Sequence, residues 1–147
     1  AHMFNYVSFN SAERQSHGWR CLISDEATGR EVWVKTRVIV NATGCWSDRL
    51  PQSGVKLRLT KGIHLVLDQQ RLPTSKAVVL VEGRRILFAI PWGQRVILGT
   101  TDTDYGGSLE DVPVDDRDAE YVLGVTNRAF PGARLEPADV MAHWAGV

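Results

Sequence analysis

The sequence predicts an α+β fold in which antiparallel β-sheet predominates and one main helix packs on it. Short apolar runs are separated by the two-residue turns Gly83-Arg84 and Gly93-Gln94, a spacing typical of β-hairpins. Only residues 116–129 carry apolar side chains at helical spacing over several turns. The chain has 147 residues, 44% of them hydrophobic, enough to bury roughly two-thirds of the unfolded surface.

Charge and cysteine usage exclude several functional classes. Seventeen basic and seventeen acidic residues give zero net charge, which argues against an electrostatic nucleic-acid binder. Apolar runs of about five residues are far shorter than the roughly twenty that a membrane span needs. Cys21 and Cys45 form no disulfide framework and lack partners at metal-ligand spacing, so we expect no metal and a reducing, cytoplasmic setting. Residues 1–3, Ala-His-Met, resemble an expression scar and not a signal peptide.

The first predicted element is a β-hairpin. Residues 19–23 form one strand, 25–30 the turn with its Asp, Thr and Gly, and 31–40 the return strand. That strand ends in the β-branched run 38–40, which predicts burial on both faces. Asn41-Ala42-Thr43-Gly44 follows, where small residues would let a nucleotide cofactor approach the backbone. An ordinary strand-to-loop turn explains the same tetrapeptide.

After a loop at 50–54, the predicted strands are 55–59, 63–67, 77–82, 85–92 and 95–100. One helix is expected at 116–129, with Asp115 as its N-cap and Gly124 weakening it. Four residues should face the sheet: Ala119, Val122, Val125 and Ala129. Pro131-Gly132 ends the helix, and 139–144 is a last strand, after which we expect that the chain is cut mid-structure.

Several side chains could carry chemistry, each with a structural alternative. His64 shares a strand face with Val66 and is either a satisfied core histidine or a base. Lys61 could hold an anion or lie at a solvated strand end. Arg84-Arg85 could grip a phosphate or carboxylate, or protect a sheet edge. The hydroxyl-rich and carboxylate-rich segment 99–106 lacks the ligand pattern of a Ca²⁺ loop, which favours a structural hydrogen-bonding role.

Four blocks together resemble the FAD-dependent glycerol-3-phosphate dehydrogenases. They are VIVNATGCWSD at 38–48, LRLTKGIH at 57–64, ILFAIPW at 86–92 and LGTTDTDY at 98–105. Their order and spacing match the family over roughly residues 15–147, although Cys45 stands where the family usually has proline. The closing Trp144-Ala145-Gly146-Val147 resembles the family's aromatic-Ser/Ala-Gly-Val segment.

The resemblance implies a two-domain flavoprotein of the D-amino-acid-oxidase superfamily, of which this chain is an internal fragment. Residues 4–50 would be part of a Rossmann-like FAD domain, namely its β-hairpin and Ala-Thr-Gly strand. Residues 55–147 would be the substrate-binding (cap) domain, truncated at its C-terminus. The Gly-x-Gly-x-x-Gly turn that binds the FAD pyrophosphate is absent from this sequence.

The implied reaction is hydride transfer from sn-glycerol 3-phosphate to FAD, giving dihydroxyacetone phosphate. His64 matches the family's active-site histidine and would act as base. Arg85 matches a substrate-binding arginine that would pair with the phosphate, with Lys61, Thr101 and Asp102 near the substrate. The resemblance assigns four residues to FAD: Ala42, Thr43, Gly44 and Trp46.

The resemblance also implies partners. The electron acceptor would be a membrane quinone, with peripheral association at a bacterial inner membrane and a homodimeric parent, although a sister group uses oxygen. The isolated fragment is expected to be inactive and colourless. Two alternatives stay open: an oxidase of the same superfamily acting on an amino or hydroxy acid, and a non-catalytic binding domain that has kept the fold.

Overall fold

The computed structural model describes residues 2–147, so Ala1, the first residue of the predicted scar, lies outside the described part. The chain divides into two compact units, Ala1–Leu57 and Arg58–Val147. No helix among the described residues is long and apolar enough to cross a membrane.

The first unit contains a three-stranded antiparallel sheet in the order β1-β2-β3. Its strands are β1 (Val7–Gln15), β2 (Gly18–Asp25) and β3 (Glu31–Thr36). The hairpin predicted from the sequence corresponds to β2 and β3. Strand β1 was not predicted, because polar and charged residues interrupt its apolar alternation. A short 3₁₀ helix follows at Gly44–Arg49.

The predicted continuation of β3 through residues 38–40 is wrong in this structure. The strand ends at Thr36, and the side chains of Val38 and Val40 are 68% and 82% exposed. A strand buried on both faces needs neighbours on both sides. Among the described residues no strand pairs with this segment, so its β-branched composition alone does not make it a strand.

The second unit is built on a six-stranded antiparallel sheet in the order β5-β6-β7-β4-β8, with β9 also pairing with β4. Its strands are β4 (Thr60–Asp68), β5 (Val78–Glu82), β6 (Arg85–Trp92), β7 (Arg95–Gly99), β8 (Thr103–Asp104) and β9 (Val140–Gly146). Two-residue turns connect β5 to β6 and β6 to β7, as the sequence predicts. The predicted strand at 55–59 is absent, and β9 begins at Val140 after a 3₁₀ turn over Pro137–Asp139.

One helix, α1 (Asp116–Ala129), covers one face of this sheet. It has the predicted bounds, and the Asp115 carboxylate accepts a hydrogen bond from the backbone N–H of Asp118, as expected of an N-cap. Val122 and Val125 are buried against the strands, whereas Ala129 is exposed and does not face the sheet as expected. The predicted fold class, mainly antiparallel sheet with one main helix, is confirmed.

Strict alternation gives the sheet two different faces. The helix-packed face carries the core side chains, and their exposure does not exceed 5%: Ile63, Leu65, Leu67, Leu80, Leu87, Ala89, Val96 and Leu98. The open face carries the intervening residues: His64, Val66, Val79, Val81, Ile86, Phe88, Ile90, Ile97, Gly99 and Trp144. These two surfaces decide which side chains can share a site.

Candidate functional site

His64 lies on the open face, on strand β4 between β7 and β9. Residues 63, 65 and 67 of β4 point into the core, so the imidazole points the other way and is half-buried. Its plane is stacked on the indole of Trp144, with ring centroids 4.9 Å apart and 14° between the planes. Burial lowers the pKa of His64 below its usual value of about 6.5. The ring is therefore neutral at pH 7, the form that can accept a proton.

Strand register places His64 in a row that crosses the sheet. Trp144 of β9 pairs with His64, His64 pairs with Gly99 of β7, and Gly99 pairs with Phe88 of β6. Since paired residues share a face, an indole and a phenyl ring flank the imidazole, with a glycine between the imidazole and the phenyl. The row is a shallow aromatic surface with one titratable group.

Gly99 leaves room for the imidazole. A Cβ built at Gly99 would lie 2.5 Å from Cδ2 and 3.0 Å from Nε2 of His64, and 2.8 Å from the Ile63 carbonyl oxygen. The Cδ2–Nε2 edge of the ring therefore lies directly over the Gly99 backbone, a position that any other residue would obstruct. Gly99 and Trp144 were not singled out as site residues from sequence. No signal in the sequence could have found Gly99, because the pairing of β4 with β7 that brings it to His64 is not visible in one sequence.

Lys61 lies on the helix-packed side and is buried, contrary to the alternative of a solvated strand end. Its ammonium forms ion pairs with Asp115 at 2.8 Å and Asp118 at 2.5 Å, and donates to the Pro113 carbonyl at 3.2 Å. Burial lowers the pKa of Lys61, but the two carboxylates raise it more, and the net pKa lies above the usual value. An ammonium has three donors, and all three are used within the protein. Lys61 therefore anchors β4 to the start of α1 and offers no donor to a substrate.

Arg85 does not share a surface with His64. It alternates in phase with Leu87 and Ala89 on the helix-packed face, whereas Phe88, the β6 residue in the His64 row, is on the open face. Its guanidinium carbon lies 5.3 Å from the ring centroid of Tyr121 on α1. The predicted pairing of Arg85 with a phosphate beside His64 is therefore inconsistent with this sheet.

Thr101 and Asp102 lie where the ladder between β4 and its neighbour is irregular, just beyond the pair His64 and Gly99. The buried Thr101 hydroxyl donates to the Lys61 carbonyl at 3.2 Å and accepts from the Ile63 N–H at 3.1 Å. It replaces backbone pairing that the irregularity interrupts, so this hydroxyl has a structural role, and the placement of Thr101 and Asp102 near the substrate stays a prediction. Asp102 is exposed.

The residues predicted to bind FAD lie in the first unit. The Asn41 side-chain oxygen accepts from the Thr43 N–H at 3.3 Å and from its hydroxyl at 2.7 Å. Gly44 has φ of +57°, and nothing lies within 4 Å of a Cβ built on it. Trp46 and Thr43 line a cavity of about 320 Å³. An open glycine backbone beside a cavity fits the close approach of a cofactor, and the assignment of Ala42 to Trp46 stays a prediction.

Comparison with known proteins identifies the family of this chain. The family described as FAD dependent oxidoreductase (DAO) matches residues 1–147. An alpha-glycerophosphate oxidase of Streptococcus pyogenes serotype M6 is 39% identical over 132 residues, which is 84% of this chain and 22% of the relative. The chain thus spans about a fifth of the length of the curated relatives it matches.

Solved structures agree on the fold. The glycerol-3-phosphate dehydrogenase from Bacillus halodurans, complexed with FAD, superimposes with a TM-score of 0.81 at 32% identity, covering 97% of this chain and 30% of that one. An iminodiacetate oxidase from Chelativorans sp. BNC1 has a TM-score of 0.59 at 22% identity, covering 96% of this chain and 36% of that one. At that identity the second structure supports the fold alone.

Proposed function

The chain belongs to the FAD-dependent oxidoreductase (DAO) family, and we propose that it is the central part of a flavoenzyme oxidising sn-glycerol 3-phosphate. One observation carries the proposal: a neutral histidine, His64, lies on an open aromatic sheet face in a chain whose relatives are named glycerophosphate oxidase and dehydrogenase. The identity of the substrate rests on those names.

His64 would take the proton from the substrate's C2 hydroxyl. An alcohol gives up hydride more readily as its O–H proton leaves, so a base beside the reacting carbon lowers the barrier. FAD, when bound, supplies the acceptor for that hydride, and together the two transfers convert the secondary alcohol to a ketone. The imidazole stores the proton at Nε2, the nitrogen that lies over Gly99.

The open face suits a flat cofactor ring and a small alcohol. Phe88 and Trp144 offer apolar surface on either side of His64, and Gly99 leaves the backbone uncovered between them. The first unit, taken by itself, has an open backbone at Gly44 and a cavity beside Thr43 and Trp46, and both suit the close approach of a cofactor. The residues present therefore fit the cofactor that the family uses.

The phosphate would be bound by residues outside the His64 row. Trp144, Gly99 and Phe88 carry no charge, Lys61 is fully occupied, and Arg85 faces the helix. Within the described residues, the sheet face thus supplies the base and the apolar floor of the site. As parts of the same proposal, electrons pass to a membrane quinone, the parent is a homodimer at the inner membrane, and this chain alone is inactive and colourless.

The test is anaerobic bleaching of the flavin band in a chimera, in which this chain replaces the matching segment of the Streptococcus pyogenes oxidase. Glycerol 3-phosphate should bleach the band, and glycerol, the matched phosphate-free control, should not. Bleaching by an amino or hydroxy acid instead would overturn the substrate assignment. A chimera that binds FAD but is bleached by none of these compounds would indicate a binding domain without catalysis.

A further inference from the structure

The stacked pair Trp144 and His64 has a geometry that a simple core contact does not require. The two rings are nearly parallel, at 14°, and their centroids are 4.9 Å apart, within the range of offset stacking. Trp144 is nevertheless 46% exposed, so it does not bury its own apolar surface fully. Burial of the indole therefore does not explain its position against the imidazole.

Gly99 constrains the same ring from another side. The Cδ2–Nε2 edge of His64 lies over the Gly99 backbone, within 3.0 Å of where a Cβ would be. An indole against the plane of the ring and a backbone beneath its edge leave few rotamers available. Together they direct Nε2 over the glycine, along the row that leads to Phe88.

The residues that share a row with His64 carry no charge. Burial lowers the pKa of His64, because an imidazole partly removed from water is harder to charge. The β7, β9 and β6 residues in its row are Gly99, Trp144 and Phe88. On the same face of β4, Asp68 lies four residues away and is already paired with Arg95 at 2.9 Å. Among the described residues, the contacts with Trp144 and Gly99 are therefore what orient the imidazole.

We propose that Trp144 is a positioning residue, whose stacked indole fixes the imidazole of His64 with Nε2 over the Gly99 backbone. The inference rests on the proposed role of His64 as base, and it adds the device that holds that base in place. Trp144 acts through His64 and is given no role in proton transfer. Positional precision matters because a base displaced by about 1 Å can lose on the order of 100-fold in rate.

The test is an NMR titration of His64 in this chain, with two variants that separate stacking from bulk. W144F keeps a flat ring, whereas W144L keeps apolar bulk without one. Trp92, at the far end of β6 and 71% exposed, provides the matched control W92L. We expect wild type, W144F and W92L to retain a pKa below 6.5 and a nuclear Overhauser contact between the His64 ring and the Gly99 Hα protons. In W144L the contact should be lost and the pKa should rise towards 6.5.

A W144L variant that keeps both signals would overturn the proposal, because bulk alone would then hold the ring. If W144L does not fold, the wild-type spectrum still tests whether the His64 and Trp144 rings are stacked. Stacking at 4.9 Å requires a strong upfield ring-current shift of the His64 ring protons, and ordinary shifts would contradict it.

Flavin reduction in the chimera separates this inference from the proposed function. A W144L chimera should bleach at least 10-fold more slowly with glycerol 3-phosphate, with W144F close to wild type. An unchanged rate in W144L would overturn the positioning role. If His64→Ala also leaves bleaching unchanged, the proposed role of His64 fails, even where NMR shows that Trp144 holds the ring.

Discussion

The two faces of the six-stranded sheet do different work, although alternate residues of the same strands form both. The helix-packed face carries the buried core side chains, and Arg85 at the start of β6 is an exposed exception. Among the described residues, the buried cation on this face is Lys61, and it is fully paired. Within the part of the chain that the structure describes, the open face has exposed apolar side chains and one histidine, His64, whose pKa is lowered by burial. Residues of one strand can therefore differ in role according to whether their number is odd or even.

Substitution of Lys61, on the helix-packed face, should cause the largest loss of stability. Lys61→Met should leave the buried Asp118 carboxylate without its counter-ion and lower the free energy of unfolding by about 3–5 kcal/mol. Chemical denaturation measures this, with Arg58→Met as a control, because the Arg58–Asp104 pair is exposed. A loss below about 1 kcal/mol would show that the ion pair is not buried in solution.

The same ion pair predicts a pH dependence. The hydrogen bond from Lys61 holds the pKa of Asp115 below its usual range. A carboxyl with a depressed folded-state pKa stabilises the fold above its unfolded pKa of about 3.9, and that stability is lost as pH falls through the folded value. Stability should therefore drop on acidification below about pH 4, and Lys61→Met should flatten this drop. Equal slopes in the two proteins would contradict the assignment.

Leu65 and Val66 are adjacent in β4 and face opposite ways, which gives a matched pair of truncations. Leu65→Ala opens a cavity on the helix-packed face and should cost roughly 2–5 kcal/mol of unfolding free energy. Val66→Ala on the open face should cost under about 1 kcal/mol, since its side chain is already partly solvated. Similar losses for both variants would mean that the open face is covered in solution.

Replacing a glycine with alanine should lower the stability of the protein at a sheet position and raise it at a helix position. Gly99→Ala puts a methyl group against the Ile63 carbonyl and the His64 ring, so it should cost about 1–3 kcal/mol and displace the imidazole. Gly124→Ala lies in α1, with only the end of the Arg128 side chain within 4 Å, and should stabilise by up to about 1 kcal/mol. Thermal unfolding of both variants beside wild type gives the two signs directly.

Most of the fold could be predicted from the sequence because its signals are local. The turns at Gly83 and Gly93 fix the hairpins, and Asp115 with the apolar spacing after it fixes the helix. The strand prediction for residues 38–40 was wrong because β-branched residues indicate a strand only where neighbouring strands exist to pair with it. Strand β1 was missed because its exposed positions conceal the alternation.

The site was harder to predict because it depends on which strands are neighbours. His64 could be found from its motif. The sequence prediction began this strand at residue 63, and only the observed start of β4 at Thr60 lets alternation place Lys61 on the other face. The orientation of Arg85 required the pairing of β6 with β7 and of β7 with β4, which one sequence does not display. Trp144 lies eighty residues from His64 in sequence, and only the pairing of β9 with β4 brings the two together.

The most direct test of the two-face account compares His64→Ala with Arg85→Ala in the flavin-reduction assay of the chimera. We expect glycerol 3-phosphate to bleach the His64→Ala flavin about 10²–10⁴-fold more slowly than the wild-type flavin, because the general base is lost. The Arg85→Ala flavin should bleach at the wild-type rate, because Arg85 lies over Tyr121 on the helix-packed face. Slow bleaching of Arg85→Ala with normal bleaching of His64→Ala would contradict it.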